Sequence, residues 1–289
     1  MNVFLNTIFN GIIAGSWLAA TAVGFVVLWK STKVFNFAQS YFMLLGTYLF
    51  ATLDAKYAWP LALIAAAGIT VIIAVLCHWL FMRNLVGASL FIPVIATFGI
   101  GTLLEGAVGL FWGPDDRQVS VPLYNIHYRV GDVHISGAQL SGLCITAVWI
   151  VVVILFLRKS KVGLQMRATA ENHSLAGLAG MPVRSILVLA WAIAGASAAI
   201  AGITYTQQQG IESFDLANVG LLAFPAIIMG GLESVEGAVL GGLAIGLVDA
   251  FVITYWDPNA QFAAGYLVLF LFLLLKPQGL FGERVYDRV

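Results

Sequence analysis

The sequence predicts an all-α, polytopic membrane protein with about eight or nine transmembrane helices. Hydrophobic side chains make up 61% of the 289 residues and charged ones only 10%, whereas soluble domains carry about 25% charged residues. Because lipid cannot hydrogen-bond to exposed backbone, the chain must cross the bilayer as helices or as a closed barrel. The apolar runs are long and lack the alternation of barrel strands, which excludes the barrel.

The charge balance and the cysteines exclude several functions. Lys and Arg number 14 and so do Asp and Glu, so there is no basic field to bind nucleic acid, and lipid is the expected partner. Cys77 and Cys144 lie in apolar runs, which predicts packing roles rather than a disulfide. The histidines lack neighbouring ligands at metal-binding spacing, so no metal site is expected.

Nine apolar runs predict the helices of a single transmembrane domain over residues 1–289. The first basic residue is Lys30, so the opening run is expected to be a retained helix rather than a cleavable signal peptide. The run at 217–231 is short and contains Pro225, so we expect a broken or re-entrant segment there, and the count stays at eight or nine. The candidate helices are residues 4–28, 34–53, 59–82, 88–112, 138–157, 185–206, 217–231, 238–256 and 260–276.

The basic residues predict the orientation, because cytoplasmic loops are enriched in Lys and Arg. Alternating sides after each helix places 11 of the 14 on one face. We therefore expect an outside N-terminus and a cytoplasmic tail at about 277–289, with 217–231 counted as a crossing. The 11 residues are Lys30, Lys33, Arg83, Arg158, Lys159, Lys161, Arg167, Arg184, Lys276, Arg284 and Arg288, and the other three are Lys56, Arg117 and Arg129.

Two loops are long enough to have functions of their own. The outer loop at about 113–137 alternates apolar and polar residues, which predicts a small hairpin lid. The inner loop at about 158–184 contains a short amphipathic pattern that ends at glycine and proline. This pattern is typical of an element that docks on another protein. The alternating residues of the outer loop are Tyr124, Ile126, Tyr128, Val130, Val133 and Ile135.

Polar and helix-breaking residues inside the apolar runs are candidates for a substrate pathway. Such residues are costly in lipid unless they are paired, and transporters use them around cavities. Asn36, Phe37 and Gln39 open the second run, and Phe224 and Pro225 lie inside the seventh. Two alternatives stay open: the amides hydrogen-bond neighbouring helices, and the proline only kinks a helix.

Two carboxylates, Glu105 and Asp249, also lie within apolar runs. A charge at mid-bilayer costs about 2.5–3.5 kcal/mol on insertion scales. We therefore expect Glu105 to face the bundle interior, either in a pathway role or bonded to Thr97 or Thr102. Thr97 is itself a pathway candidate. Asp249 is expected to be structural.

Glycines repeat at the spacing that lets helices approach closely. Gly237, Gly241, Gly242 and Gly246 form two such pairs, and Gly11 and Gly15 a third. Internal packing and a subunit interface are both consistent with this pattern.

The sequence lacks the usual phosphate-binding loop of an ATP site. That loop needs a glycine directly before its lysine, and none of the six lysines follows one. If transport is driven by ATP, the motor is another polypeptide, and the loop at 158–184 is its expected docking site.

Four segments resemble signatures of the branched-chain amino acid ABC importer permeases: residues 36–39, 163–172 followed by Ala176 and Gly180, 224–238 and 276–282. The resemblance implies a non-enzymatic inner-membrane subunit without cofactors, which pairs with a second related permease and an extracytoplasmic binding protein. It also implies two ATPase subunits that hold ATP and Mg²⁺. In such permeases the inner loop carries a coupling helix, which would bring Arg167, Ala168, Glu171, Asn172 and Ala176 to the ATPase. The alternative is a solvated basic loop that only sets topology.

The chain departs from the family pattern after Gln39. The family usually continues with glycine and often an acidic residue, whereas this chain has Ser40 and Tyr41. If that region lines the pathway, the cargo could differ from a branched-chain amino acid, since the family also includes permeases for urea, amides and small carboxylates. Two further classes compete with the importer: an ATP-independent transporter or channel that uses Glu105, and a structural membrane scaffold.

Overall fold

The computed structural model describes residues 2–281, apart from residues 86, 87, 90, 114, 116, 119–126, 131, 132, 172, 210 and 213. Helices dominate this part of the chain, as predicted. Their bounds are α1 Asn2–Thr32, α2 Gln39–Asp54, α3 Trp59–Cys77, α4 Phe91–Trp112, α5 Gly137–Lys159, α6 Lys161–Glu171, α7 His173–Leu178, α8 Val183–Gln209, α9 Leu216–Gly220, α10 Ala223–Gly230, α11 Val235–Tyr255 and α12 Gln261–Leu275.

Seven helical segments are long and apolar enough to cross a membrane, which confirms a polytopic membrane protein. They contain α1, α3, α4, α5, α8, α11 and α12. After α3 the same segment continues as a π-helix at His78–Met82 and a 3₁₀ turn at Arg83–Leu85. The spanning windows of α1 and α8 are 89% and 78% buried against only 22% for α3, so α1 and α8 form the centre of the bundle.

Close packing of α1 against α11 holds that centre together. The helices run antiparallel, so that Phe4 meets Phe251 with ring centroids 5.7 Å apart and Gly242 meets Ala19. A Cβ at Gly246 would lie 2.2 Å from the backbone nitrogen of Gly15. Backbones this close leave no room for side chains, which is the use of small residues in membrane helices.

The other predicted glycines also pack within the chain. Gly237 and Gly241 lie against α10, where added Cβ atoms would come 2.1 Å from the carbonyl oxygen of Gly230 and 2.0 Å from that of Ala226. For all four glycines these contacts correspond to internal packing.

The bundle has two faces, defined by the loops at its ends. The basic face carries the ion pairs Lys33–Glu233 at 2.5 Å and Arg158–Glu236 at 2.7 Å. The hairpin face lies opposite, where β2 (His127–Val130) pairs with β3 (Val133–Ser136) just before α5 begins. This pairing confirms that residues 113–137 contain a hairpin, although Tyr124 and Ile126 lie outside the described residues. At the same end β1 (Arg117–Gln118) pairs with β4 (Ile211–Glu212).

The short segment α9–α10 passes from the hairpin face to the basic face. It follows β4, and its last residues meet the chain after α12, where the amide of Leu280 donates to the carbonyl of Met229. The turn at Leu221 and Leu222 separates the two helices. The expected broken segment is therefore present, and it makes a crossing. Residues 282–289 of the predicted tail lie outside the described part.

We expect Gly246→Ala to destabilise the bundle, because the new methyl group overlaps the backbone of α1. Overpacking of this kind costs about 1–3 kcal/mol. Gly68→Ala is the matched control, since a Cβ at this helical glycine meets nothing within 4 Å. Thermal unfolding in detergent, followed by tryptophan fluorescence, should show a lower midpoint for Gly246→Ala and an unchanged or higher one for Gly68→Ala. Equal midpoints for the two variants would contradict the packing described.

Candidate functional site

The chain between α1 and α2 re-enters the bundle without forming a helix. Lys33 ends α1 with a positive φ of 54°, and α2 begins only at Gln39, so the predicted helical start at residue 34 is wrong. With 16 residues, α2 is about 24 Å long, less than the roughly 30 Å of a bilayer core. The non-helical residues 33–38 complete the crossing.

Asn36 and Gln39 anchor this unwound segment. The Asn36 side chain accepts a hydrogen bond from the amide of Ala38 at 3.2 Å and donates to Gln39 at 3.4 Å. Gln39 in turn donates to the carbonyl of Ala194 on α8 at 2.9 Å. It fits there because the facing residue is Gly24, where a Cβ would lie 2.2 Å from the Gln39 amide nitrogen. Both amides are buried and partnered, so their contacts favour the hydrogen-bonding alternative over direct exposure to a pathway.

Thr97 ties the same segment to α4. Its hydroxyl accepts from the amide of Phe37 at 3.1 Å and can donate to the carbonyl of Val94 at 2.7 Å or of Phe35 at 3.3 Å. Thr97 is fully buried. Its role in the structure is to satisfy backbone groups that have no helical partner.

Aromatic rings close the space beside the unwound segment. Phe37 stacks between Phe98, with centroids 4.1 Å apart, and Phe224, with centroids 5.0 Å apart. Phe224 also contacts Phe25 of α1 at 4.9 Å and Phe35 at 6.1 Å. We name this cluster of Phe25, Phe35, Phe37, Phe98 and Phe224 the aromatic barrier. The cluster brings together Phe37 and Phe224, two predicted pathway residues that are far apart in the sequence.

Pro225 lies just after the helix break and not within a continuous helix. It is the third residue of α10, a position whose backbone nitrogen has no intrahelical partner in any residue. The break itself is at Leu221 and Leu222. Pro225 therefore lies in the first turn of α10, next to Phe224 of the aromatic barrier, and the simple-kink interpretation is wrong.

Glu105 does not pair with either threonine. Thr97 bonds as described, and the Thr102 hydroxyl donates to the carbonyl of Phe98 at 3.2 Å, the usual local bond of a helical threonine. Glu105 is half-buried on α4, close enough to Tyr41 of α2 to interact with it electrostatically. In the part of the chain that is described, no hydrogen bond or ion pair reaches its carboxylate.

Two cavities lie towards opposite ends of the bundle. One of about 290 Å³ opens at the basic face, and its lining includes Val27, Lys30 and Arg167. The other, about 400 Å³ in volume, opens at the hairpin face beside Trp17, Leu222 and Asp249. Sequence reasoning missed the second cavity, because its polar side chains come from the ends of helices that are far apart in sequence.

Comparison with known proteins identifies the family. Residues 7–275 match the permease component of branched-chain amino acid transport systems. The chain belongs to this permease family. It is 29% identical to the high-affinity branched-chain amino acid transport system permease protein LivH of Salmonella typhimurium, over 99% of this chain and 98% of the relative.

Two further permease proteins are similar to this chain in sequence. The high-affinity branched-chain amino acid transport system permease protein BraD of Pseudomonas aeruginosa is 27% identical, over 99% of this chain and 98% of the relative. The autoinducer 2 import system permease protein LsrC of Escherichia coli is 26% identical over 75% of this chain and 64% of the relative.

At its basic face the permease carries α6 and α7, within the predicted coupling loop. Of the residues expected at a partner, Glu171 is exposed and Arg167 and Ala168 are half-buried. Ala176 is only 4% exposed, because it packs inside its own chain, and Asn172 lies outside the described residues. Leu164 and Leu178 are instead 61% and 85% exposed. Sequence reasoning included Leu178 in the amphipathic docking pattern of this loop but missed Leu164.

Among the residues that the structure describes, no group of three or more His, Cys, Asp or Glu side chains is positioned to hold a metal ion. Cys77 is buried and Cys144 exposed, and neither is in a disulfide.

We expect Thr97→Val to loosen the unwound segment, since valine keeps the shape but leaves the amide of Phe37 without an acceptor. An unsatisfied buried donor costs about 1–3 kcal/mol. Hydrogen exchange of the peptide covering residues 33–38 should accelerate and the unfolding midpoint should fall. Thr102→Val is the matched control on the same helix, because its exposed hydroxyl bonds only a carbonyl of its own helix. The assignment fails if both variants exchange at the wild-type rate.

Proposed function

We propose that this permease is the transmembrane subunit of an ATP-binding-cassette importer for branched-chain amino acids or a related small substrate. In this proposal a binding protein delivers the substrate, a second related permease completes the passage, and two ATPase subunits hold the ATP and Mg²⁺. The observation that carries the proposal is the family match over residues 7–275. The exposed leucines on the face rich in basic residues support it.

The same proposal orients the protein in the bacterial inner membrane. The basic face, which carries Lys33 and Arg158, is cytoplasmic by the enrichment of cytoplasmic loops in Lys and Arg. The N-terminus is then outside, the C-terminal tail is cytoplasmic, and α6 and α7 face the compartment that contains ATP. The hairpin face would meet the binding protein.

Substrate would pass where the aromatic barrier now closes the bundle. Along α1 the hairpin-face cavity reaches Trp17 and the basic-face cavity begins at Val27, a separation of about 15 Å. Phe25 lies within that interval of α1, and its ring contacts Phe224 of the aromatic barrier. Opening requires Phe37 to separate from Phe98 or Phe224, and the unwound segment allows this because no continuous helix holds it.

The coupling loop has the contacts to move the bundle when a partner pushes on it. The Arg167 guanidinium donates to the carbonyl of Leu157 at the end of α5, and Gly163 allows α6 to approach the same residue closely. Arg158 then links α5 to Glu236 at the start of α11. A shift of α6 would therefore reach α5 and α11 directly.

The departure at Ser40 and Tyr41 does not argue against an amino-acid cargo. Ser40 is buried against Gly220 of α9, and the Tyr41 ring lies where a Cβ at Gly101 of α4 would come within 2.5 Å of it. Both side chains fill spaces between helices. A difference in packing at these positions leaves the choice of cargo to other residues.

The proposal is tested by reconstituting the permease with its partner subunits and binding protein in proteoliposomes. Leucine uptake should require ATP and the binding protein, and leucine-loaded binding protein should stimulate ATP hydrolysis. Hydrolysis that ignores the binding protein and its cargo would overturn the importer assignment.

Glu105→Gln distinguishes the importer from an ATP-independent transporter. Because Glu105 is only half-buried and lies close to Tyr41, and glutamine keeps its size while removing the charge, we expect ATP-driven uptake within about twofold of wild type. Uptake that persists without ATP under a clamped ion gradient, and disappears in Glu105→Gln, would instead support the ion-coupled mechanism.

Leu178→Asp should uncouple ATP hydrolysis from uptake, because it places a charge on the exposed apolar surface of α7. Loss of an interface residue that carries much of the binding energy costs about 2 kcal/mol or more, so with Leu178 in that role we expect about a tenfold or greater loss of uptake. Ser89→Asp, on an exposed loop of the same face, adds the same charge outside the coupling loop and should transport normally. Assembly of both variants with the ATPase is measured by co-purification. Normal uptake by Leu178→Asp would remove α7 from the docking surface.

A further inference from the structure

The cavity at the hairpin face has a chemical character that the family assignment does not explain. Its described lining contains one carboxylate, Asp249, and no Lys, Arg or His. Its volume of about 400 Å³ lies in the range of small-molecule sites. The polar lining otherwise consists of amide side chains, a tyrosine and a threonine: Asn10, Gln139, Gln208, Gln209, Gln261, Tyr205 and Thr254.

Asp249 is buried without a partner for one of its oxygens. The residue is 6% exposed, and its Oδ1 atom has no hydrogen-bond donor among the described residues. The neighbouring helix offers only Gly265 at this point, where a Cβ would still lie 3.8 Å from Oδ1. A buried carboxylate of this kind is unfavourable unless a cation or a donor reaches it. None of the described residues supplies either to Oδ1. Asp249 also lines the cavity, so a ligand bound there could supply the missing cation or donor.

The rest of the lining matches the other parts of a neutral amino acid. An amide side chain both donates and accepts, so the five amides can bind a carboxylate as well as support an ammonium group. Trp17, Leu222 and Ile253 provide an apolar wall. Leu222 also lies at the break between α9 and α10, two residues before Phe224, so this wall adjoins the aromatic barrier.

We propose that this cavity binds a neutral amino acid within the single permease chain, with its ammonium group on Asp249 and its carboxylate among the amides. The inference rests on the proposed function for its choice of substrate class. It adds a binding site in the membrane subunit itself, on the binding-protein side of the aromatic barrier. The aliphatic side chain would lie against Trp17 and Leu222.

Direct binding tests the site without the binding protein. Radiolabelled leucine is added to the purified complex of the permease with its partner subunits in nanodiscs. Asp249→Asn should weaken leucine binding about tenfold or more, because a charge-assisted hydrogen bond is lost. Asp257→Asn is the matched control, an exposed aspartate just beyond α11 on the same face, and should bind as wild type.

Two analogues separate the ends of the ligand. On the wild-type complex 3-methylbutylamine, which keeps the ammonium group, should displace leucine better than 4-methylpentanoate, which keeps only the carboxylate. Gln261→Met removes one amide at similar volume, and it should weaken leucine binding while leaving that of the amine unchanged. These measurements remain decisive even if Asp249→Asn fails to fold.

The inference is overturned if Asp249→Asn binds leucine as wild type, if the acid displaces leucine as well as the amine does, or if sodium chloride alone displaces it. Uptake measured in proteoliposomes is a separate readout. Uptake without direct binding would refute the cavity site and leave the importer standing. Direct binding without ATP-driven uptake would refute the importer and leave the ligand class of the cavity standing.

Discussion

The need to satisfy backbone polar groups at membrane depth governs the centre of this permease. Residues 33–38 are not helical, and lipid offers no hydrogen bonds in compensation. The chain supplies them from side chains: Thr32 accepts from the amide of Val34, Thr97 from that of Phe37, and Asn36 from that of Ala38. The position of α4, the start of α2 and the placement of Phe37 all follow from these bonds.

Small residues make these bonds geometrically possible. Gly24 leaves space for the Gln39 amide, and Gly202 allows α8 to approach α2 so closely that a Cβ there would lie 2.3 Å from the carbonyl oxygen of Met43. A larger residue at either position would separate the helices and leave Gln39 short of the carbonyl of Ala194. Helix packing and polar satisfaction are therefore one constraint, and the glycines of α1 and α11 extend it across the bundle.

The sequence predicted the features that depend on local chemistry. Long apolar runs gave the spanning helices, and the cost of amides in lipid singled out Asn36 and Gln39. It could not predict which side of a short helix faces inward, so Ala176 was expected at the surface where Leu178 lies. Nor could it assemble the cavity of Asp249, whose lining combines Asn10, Gln139 and Gln261 from three different helices. Such groupings depend on tertiary packing, which periodicity does not encode.

The arrangement of the two cavities describes one state of a transport cycle under the proposed function. Residues 18–23 of α1 between the cavities are at most 1% exposed, so no passage along this stretch of α1 joins the two cavities. Because well-packed cores shift between discrete arrangements rather than deform gradually, the barrier should open as a unit. The elements able to shift are those least tied to the core by regular helix: the unwound segment with Phe37 and the broken segment with Phe224. Since these two rings stack on each other, movement of either segment disrupts the same contact, and a signal from α6 through α5 and α11 needs to displace only one of them.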